Sequence, residues 1–435
     1  MNKALDQNRH NAFKKLLGAR KQPVPYGITS ICSAHPLVIE ATLLWAAREN
    51  HAVLIEATCN QVNQDGGYTG MTPIDFRRFI EAIAKKVSFP VENIIFGGDH
   101  LGPNPWRKLS AEAAMEKAEA MVVAYVEAGF EKLHLDTSMG CAGEPTALAD
   151  ALTAERASRL ARAAEDAASR TGKRPPVYII GTEVPPPGGA THALEELAVT
   201  APQAALETLA VHRAAFQKAG VEAALERVIG IVVQPGVEFG NANVILYAPE
   251  KARNLAGALD AMPGLVFEAH STDYQTEAGL SALVDDGFAI LKVGPGLTFA
   301  LREALYGLDK IAALLSDDEP SASLYAQMEA LMLDHPEHWK GHYSGSPQDE
   351  KFQRHFSYSD RIRYYWPDEK AASAVDDLFS RLPSRIAEPL ISQYLAKIYP
   401  QVVTGHVRPE PRELCLAAIT AALDPYAHAT ASRSS

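Results

Sequence analysis

The chain has 435 residues, of which 47% are hydrophobic and 22% charged, and its formal net charge is −12. This composition is typical of a globular protein with a large core. An acidic surface repels nucleic acid and anionic lipid, and no stretch is apolar enough to span a membrane, so we expect neither as a partner. Four cysteines without CxxC spacing and a polar N-terminal segment lead us to expect a cytoplasmic protein.

Predicted strands and helices alternate through the first 315 residues. The predicted strands are 26–32, 52–58, 93–98, 132–136, 177–183, 228–234, 265–270 and 288–293. A helical pattern follows each strand, and the last one covers 297–314. Eight such units indicate the α/β class and predict a closed (β/α)8 TIM barrel. A doubly wound open sheet is the alternative, because one misplaced strand would exchange the two folds.

The pattern changes after residue 315. Helices are predicted at 321–333, 371–381, 384–398 and 411–423, and the segment 338–366 between them is rich in His, Tyr, Arg and Phe. That segment either caps the barrel mouth or forms an oligomer contact, and we expect an oligomer. We therefore predict a barrel with a short N-terminal helix at 1–315 and a helical C-terminal extension at 316–435 that caps it.

The segments that leave the predicted strands are rich in polar and turn-forming residues. In a TIM barrel they meet at the C-terminal face, where enzymes of this fold place their active sites. The third strand ends at Gly97-Gly98-Asp99-His100, which sets a proton acceptor beside a metal ligand or proton shuttle. Taken alone, this segment is also compatible with an Asx-type turn and a surface histidine.

A divalent metal site is predicted from residues at three strand ends. His100, Glu183 and His270 supply two imidazoles and a carboxylate, which suit zinc with an open position for substrate. Asp99 and Glu183 are the predicted catalytic residues. The alternative is that both histidines are hydrogen-bonded rim residues without a metal.

The loops after the last two barrel strands predict a phosphate site. Gly294 and Gly296 precede a helix, whose free amides bind anions, and barrels often hold phosphate at this place. Ser271, Thr272 and Asp273 belong to the neighbouring loop and complete this part of the predicted substrate site. A tight turn that needs glycine explains the same motif without a ligand.

Three basic residues are further candidates for substrate binding. Lys292 lies in an apolar strand and could bind phosphate, pair with Glu56 or Glu183, or form a Schiff base; we favour the first two. Arg354 and Arg361 could bind phosphate in a bidentate manner, although such arginines more often form surface salt bridges.

Four segments carry a family resemblance: GITSICSAHP (27–36), IEATCNQVNQ (55–64), GGDHLGPN (97–104) and FEAHSTDYQ (267–275). With them the chain resembles the Z-type subunits of class II D-tagatose-1,6-bisphosphate aldolase, formerly labelled tagatose-6-phosphate kinases. The resemblance implies a barrel and a role in galactitol or N-acetylgalactosamine breakdown. It also implies a partner, since the Z-type chain supports a separate catalytic aldolase chain.

The chain is also similar, more remotely, to the catalytic class II aldolases. This resemblance implies a proton-transfer role for Asp99 and zinc binding by His100 and His270. The third zinc histidine of those enzymes corresponds to Gln234, a poor zinc ligand that we assign to substrate binding, and Glu183 is the candidate replacement. Related sugar epimerases use comparable retro-aldol chemistry at C4 of ketoses.

Three functional hypotheses follow. The first is a subunit that joins a catalytic class II tagatose-bisphosphate aldolase chain and supports cleavage to dihydroxyacetone phosphate and glyceraldehyde 3-phosphate. The second is an autonomous, metal-dependent C4-epimerase that binds a ketose or ketose phosphate. The third, a tagatose-6-phosphate kinase, is the weakest, because the sequence has no GxxxxGK[ST] segment and no kinase motif set.

Overall fold

The computed structural model describes residues 13, 15–16, 26–182, 184, 197–316 and 323–431. Eight parallel strands form a closed barrel, in which Ile28 of the first strand pairs with Ile290 of the last. The barrel strands are β1 Ile28–Ile31, β2 Val53–Thr58, β3 Ile94–Leu101, β4 Lys132–Leu135, β5 Val177–Ile180, β6 Val228–Val233, β9 Val266–Ala269 and β10 Ile290–Val293. The predicted (β/α)8 barrel is confirmed, and the doubly wound sheet is excluded.

The barrel helices lie outside the strands, and several begin with proline, where the missing N–H costs no hydrogen bond. Pro202 starts its helix as the sequence predicts. The helices are α1 Pro36–Glu49, α2 Pro73–Lys86, α3 Ala111–Ala128, α4 Asp150–Thr171, α5 Pro202–Lys218, α6 Glu222–Leu225, α7 Pro249–Ala258, α8 Glu277–Asp285 and α9 Pro295–Leu315. A short antiparallel hairpin, β7 Glu238–Phe239 with β8 Val244–Ile245, was not predicted.

The lower interior of the barrel is apolar. Ile95, Ile179 and Val266 point inward, as strand alternation predicts, and belong to one buried cluster. Phe13 and Leu16 from the N-terminal segment join the same cluster. The apolar filling ends about halfway up the strands, and the upper interior is polar.

The C-terminal extension is helical, and its last helix returns to the barrel to pack on α1, α8 and α9. Its helices are α10 Leu324–Asp334, α11 Pro347–Phe356, α12 Glu369–Arg381, α13 Glu388–Tyr394, α14 Tyr399–Val403 and α15 Pro411–Thr430. Helix α13 is shorter than the predicted 384–398. The division of the chain at residue 315 stays a prediction. Among the helices of the described ranges, none combines the length and apolar character that a bilayer crossing requires.

Candidate active site

A buried charge network fills the upper barrel. Lys132 Nζ on β4 lies 2.7 Å from Glu56 Oε1 on β2 and 2.7 Å from Glu268 Oε2 on β9. Lys292 on β10 contacts the other oxygen of Glu56 and lies 3.8 Å from Glu268 Oε1. A Cβ at residue 97 would lie 2.3 Å from Glu56 Oε1, so Gly97 makes room for that carboxylate. Because the two lysines lie between Glu56 and Glu268, the buried charges of these four side chains are largely compensated.

Asp99 joins this network at the barrel mouth. Strand β3 extends beyond its predicted end at residue 98, so Asp99 and His100 are strand residues. Asp99 Oδ1 lies 2.6 Å from Lys292 Nζ and 3.0 Å from His134 Nδ1. Burial raises the pKa of Asp99, but Lys292 and His100 outweigh burial and hold that pKa well below its usual range. Asp99 is therefore a carboxylate at neutral pH.

His100 is held in a strained position. Its φ is 49°, and the pairing of β3 with β4 shifts register between Gly98 and Leu101. His100 Nδ1 donates to Asp136 Oδ2 at 2.7 Å. Burial lowers the pKa of His100, but Asp99 and Asp136 raise it above its ordinary value. The bulge thus directs the imidazole toward the barrel axis.

Three imidazoles meet at the barrel mouth. The ring centroids are 5.0 Å apart for His100 and His134, 4.8 Å for His100 and His270, and 5.1 Å for His134 and His270. One candidate ligand atom from each histidine and one from Asp99 lie within 4.8 Å of one another. Burial lowers the pKa of His270 to about 3, which keeps that ring neutral, as metal ligation requires.

The hydrogen bonds of these histidines leave one nitrogen of each ring without a hydrogen-bond partner in the described part of the chain. His270 Nε2 donates to Glu268 Oε1 at 3.0 Å, much as His100 uses Nδ1 with Asp136. His134 Nε2 is buried without a partner. Carboxylates that orient ligating histidines through the second nitrogen are common around metals. Three imidazoles and a carboxylate fit a transition metal such as zinc.

This cluster changes the predicted ligand set. His100 and His270 come together as the prediction requires, whereas Glu183 lies outside the described residues. His134 was missed, because only residues at strand ends were considered. A usable signal was present: Lys132 and His134 alternate along β4 and share its inward face, and Asp136 continues the alternation directly after the strand.

A cavity opens beside the cluster at the barrel mouth. Two of its lining residues, Arg363 and Tyr364, come from the C-terminal extension. Its lining is Cys32, Thr58, Asn60, Gln61, Tyr68, Asp99, His100, Phe239, His270, Ser271, Asp273, Lys292, Val293, Gly294, Pro295, Arg363 and Tyr364.

Comparison with known proteins identifies the family. The model of the family described as D-tagatose-1,6-bisphosphate aldolase subunit GatZ/KbaZ-like matches residues 13–431. The chain belongs to this family.

Two relatives of this GatZ/KbaZ-like chain are similar over nearly their whole length. The D-tagatose 6-phosphate 4-epimerase of Agrobacterium fabrum is 55% identical over 419 residues, which cover 96% of this chain and 98% of that protein. The crystal structure of a probable tagatose 6 phosphate kinase from Sinorhizobium meliloti 1021 is 61% identical with a TM-score of 0.86, covering 93% of this chain and 100% of that one. A fructuronate-tagaturonate epimerase from Cohnella laeviribosi shares the fold alone, at 12% identity and a TM-score of 0.50, covering 92% of this chain and 81% of that one.

In the GatZ/KbaZ-like chain the predicted anion-binding amides have an internal partner. Asp273 Oδ1 accepts hydrogen bonds from the amides of Gly294 at 2.9 Å and Gly296 at 2.7 Å. Burial raises the pKa of Asp273 to about 6. A phosphate at these amides would therefore compete with a carboxylate of the same chain.

Four predicted substrate-binding side chains do not line the cavity. Thr272 donates to a backbone carbonyl of β10 at 2.6 Å, and Gln234 accepts from two amides of the next turn at 2.8 and 3.0 Å. Arg354 Nε donates to Glu329 at 2.9 Å, and Arg361 donates to a backbone carbonyl. Their roles as ligand contacts stay predictions, and in the structure each stabilises a loop or helix.

Proposed function

We propose that this chain is a metal-dependent C4-epimerase that interconverts tagatose 6-phosphate and fructose 6-phosphate. The convergence of Asp99, His100, His134 and His270 beside an open cavity carries this proposal. An accessory subunit that only stabilises a partner would need no such cluster. The epimerase name of a relative 55% identical to this chain supports the same function. We propose zinc as the ion, held by the three histidines with Asp99 beside them.

The proposed reaction is a retro-aldol cleavage followed by re-addition. When bound, a divalent metal would supply Lewis-acid polarisation of the ketose carbonyl. Asp99 accepts the C4 hydroxyl proton while the C3–C4 bond breaks and its electrons move toward the C2 carbonyl, giving an enediolate and an aldehyde. C3 then adds to the opposite face of the aldehyde, and the proton returns to the C4 oxygen. Every atom is conserved, and no second substrate is needed.

Lys292 has a supporting role in this scheme. Its ammonium lies 2.6 Å from Asp99 Oδ1 and keeps the base ionised before substrate binds. Burial lowers the pKa of Lys292, but Asp99 and the neighbouring acidic groups raise it well above its usual value. Because a protonated amine is not a nucleophile, we assign Lys292 no Schiff base in this scheme.

Interconversion by the purified protein tests the proposal. Tagatose 6-phosphate is incubated with protein as isolated, after chelator treatment, and after separate return of Zn²⁺, Mn²⁺ or Mg²⁺. We expect fructose 6-phosphate to form, the reaction to stop on chelation, and one ion to restore it. A metal-loaded protein that leaves the sugar unchanged would contradict the proposal.

The aldolase-subunit function is a second candidate, favoured by the family description. It predicts that the chain raises the bisphosphate-cleavage rate or the thermal lifetime of a cognate class II aldolase chain. The two chains are assayed separately and mixed at fixed temperature. No effect on the cognate chain would reject this role, and rapid cleavage by the isolated protein would show that it is not merely accessory.

A further inference from the structure

The cavity is lined by two permanently cationic side chains, Lys292 and Arg363. Lys292 already forms ion pairs with the carboxylates of Glu56, Asp99 and Glu268. Arg363 forms no ion pair within the described residues. Its Nη1 donates to the carbonyls of Ser359 and Asp360, the latter at 3.1 Å, and its Nη2 donates to the Tyr364 hydroxyl at 3.0 Å. A half-buried guanidinium without a carboxylate, in a chain of net charge −12, is a candidate anion receptor.

Arg363 is held in place by a buried anchor. The neighbouring Asp360 has a φ of 45°. Its carboxylate accepts from the Thr298 hydroxyl at 2.6 Å and from Arg302 Nε at 3.3 Å, both on α9. The Asp360 charge is thus used to fix the segment to the barrel. This arrangement preorganises Arg363 and reduces the entropy cost of binding a ligand.

The surroundings of Arg363 add hydroxyl donors and further positive charge. Its Cζ lies 4.5 Å from the ring centroid of Tyr364, and the Cζ of Arg361 lies 4.9 Å from the same ring. The Tyr68 and Tyr364 rings are 4.7 Å apart, and both residues line the cavity. Burial raises the pKa of Tyr364, but Arg363 and Arg361 lower it below its usual value. The side of the cavity formed by Arg363, Tyr364 and Tyr68 therefore favours a bound anion.

We propose that Arg363, assisted by the hydroxyls of Tyr364 and Tyr68, binds the phosphate group of the ketose phosphate. The inference rests on the proposed function and deepens it, because it names the residue that selects phosphorylated over free ketose. It assigns to Arg363 the role that the sequence suggested for Arg354 and Arg361. Asp273 keeps its carboxylate on the two glycine amides, so the phosphate lies at the guanidinium.

Variants of Arg363 test the inference in two assays. Arg363→Gln removes the charge, Arg363→Lys keeps it without the planar fork, and Arg107→Gln is the matched control. Arg107 is exposed, follows β3 and does not line the cavity. Calorimetry with inorganic phosphate and with tagatose 6-phosphate gives Kd. Steady-state kinetics on tagatose 6-phosphate and free tagatose give selectivity as a ratio of kcat/KM values.

We expect Arg363→Gln to weaken binding of both phosphate ligands about 10- to 100-fold, the range for losing hydrogen bonds to a charged group. Selectivity should fall by a similar factor, mostly through KM, with a smaller loss in Arg363→Lys and none in Arg107→Gln. Unchanged phosphate binding or selectivity in a folded Arg363→Gln would overturn the inference. If that variant fails to melt cooperatively, Arg363→Lys and Tyr364→Phe decide the question by the same ratios.

The calorimetric arm separates this inference from the proposed reaction. Phosphate binding that depends on Arg363, in a wild-type protein that does not epimerise, would reject the epimerase and keep the phosphate site. Epimerisation by the wild type, with a selectivity that Arg363→Gln leaves unchanged, would support the epimerase and reject the phosphate site.

Discussion

His134 Nδ1 lies 3.0 Å from Asp99 Oδ1, while Nε2 of the same ring is buried without a hydrogen-bond partner among the residues that the structure describes. A buried polar atom without a hydrogen bond costs about 1–3 kcal/mol, and metal coordination would remove that cost. We therefore expect His134→Ala to lose bound metal, measured by elemental analysis after dialysis against zinc. The control is His428→Ala, since His428 is 62% exposed and pairs with Glu277 on the surface. Equal metal content in both variants would contradict a ligand role for His134.

The barrel could be predicted from the sequence because alternating strands and helices have few parallel-sheet solutions. The convergence of Asp99, His100 and His270 could be predicted for a similar reason, since all barrel strands end at one face. His134 was missed although its strand was predicted. It lies within β4, and alternating polar residues in a strand are equally typical of a solvent-facing edge. Only closure of the barrel turns that face inward.

Arg363 could not have been chosen over Arg354 or Arg361 from the sequence. All three lie in 338–366, a segment for which the sequence pattern predicted no strand or helix. The choice depends on a tertiary contact, the anchoring of Asp360 by Arg302 on α9. No local sequence pattern predicts such a contact.

Asp99→Asn tests the base of the proposed reaction. The amide keeps the shape of the side chain but cannot accept the C4 hydroxyl proton in the same way. General-base catalysis contributes about 10²–10⁴-fold in rate, and we expect epimerisation to fall by a factor in this range. Asp65→Asn is the control, since the Asp65 side chain is 49% exposed and pairs with Lys117. Wild-type turnover in Asp99→Asn would remove Asp99 from the mechanism.

Lys292→Met tests the buried charge network. The change leaves Glu56, Asp99 and Glu268 with less compensation, and breaking a buried ion pair costs about 3–5 kcal/mol. Urea denaturation should show that loss, while the exposed Lys340→Met stays within about 0.5 kcal/mol of wild type. Borohydride added with fructose 6-phosphate should not attach sugar to the wild-type protein. A sugar adduct on Lys292 would instead establish the Schiff base that we disfavour.

Glu329 gives the C-terminal extension a pH-dependent stability. Burial raises its pKa, but Arg354 and His355 outweigh burial and lower the pKa to about 2. Because the folded pKa lies below the unfolded value of about 4.3, this stabilisation is present above the unfolded value and disappears as the pH falls toward 2.

Glu329→Gln should therefore reduce the free energy of unfolding at pH 7 by about 1.5–3 kcal/mol, as for hydrogen bonds to a charged group. The difference from wild type should shrink between about pH 5 and pH 2. Denaturation curves at several pH values measure it, with the 60% exposed Glu337 changed to Gln as control. A difference that stays constant with pH would show that the effect is not electrostatic.

Gly102→Ala tests whether the proposed metal site depends on the backbone around it. A Cβ at this position would lie 1.7 Å from the carbonyl oxygen of Asp136, so one of the two backbone segments must move. Asp136 orients His100 at 2.7 Å, and the movement should therefore displace that imidazole. We expect a stability loss of about 1–3 kcal/mol together with weaker metal binding, measured by denaturation and by zinc titration. Gly341→Ala is the matched control, because no atom of the described ranges lies within 4 Å of its added methyl group. If Gly102→Ala binds zinc as tightly as Gly341→Ala, the close approach of Gly102 to Asp136 does not position His100 for metal binding.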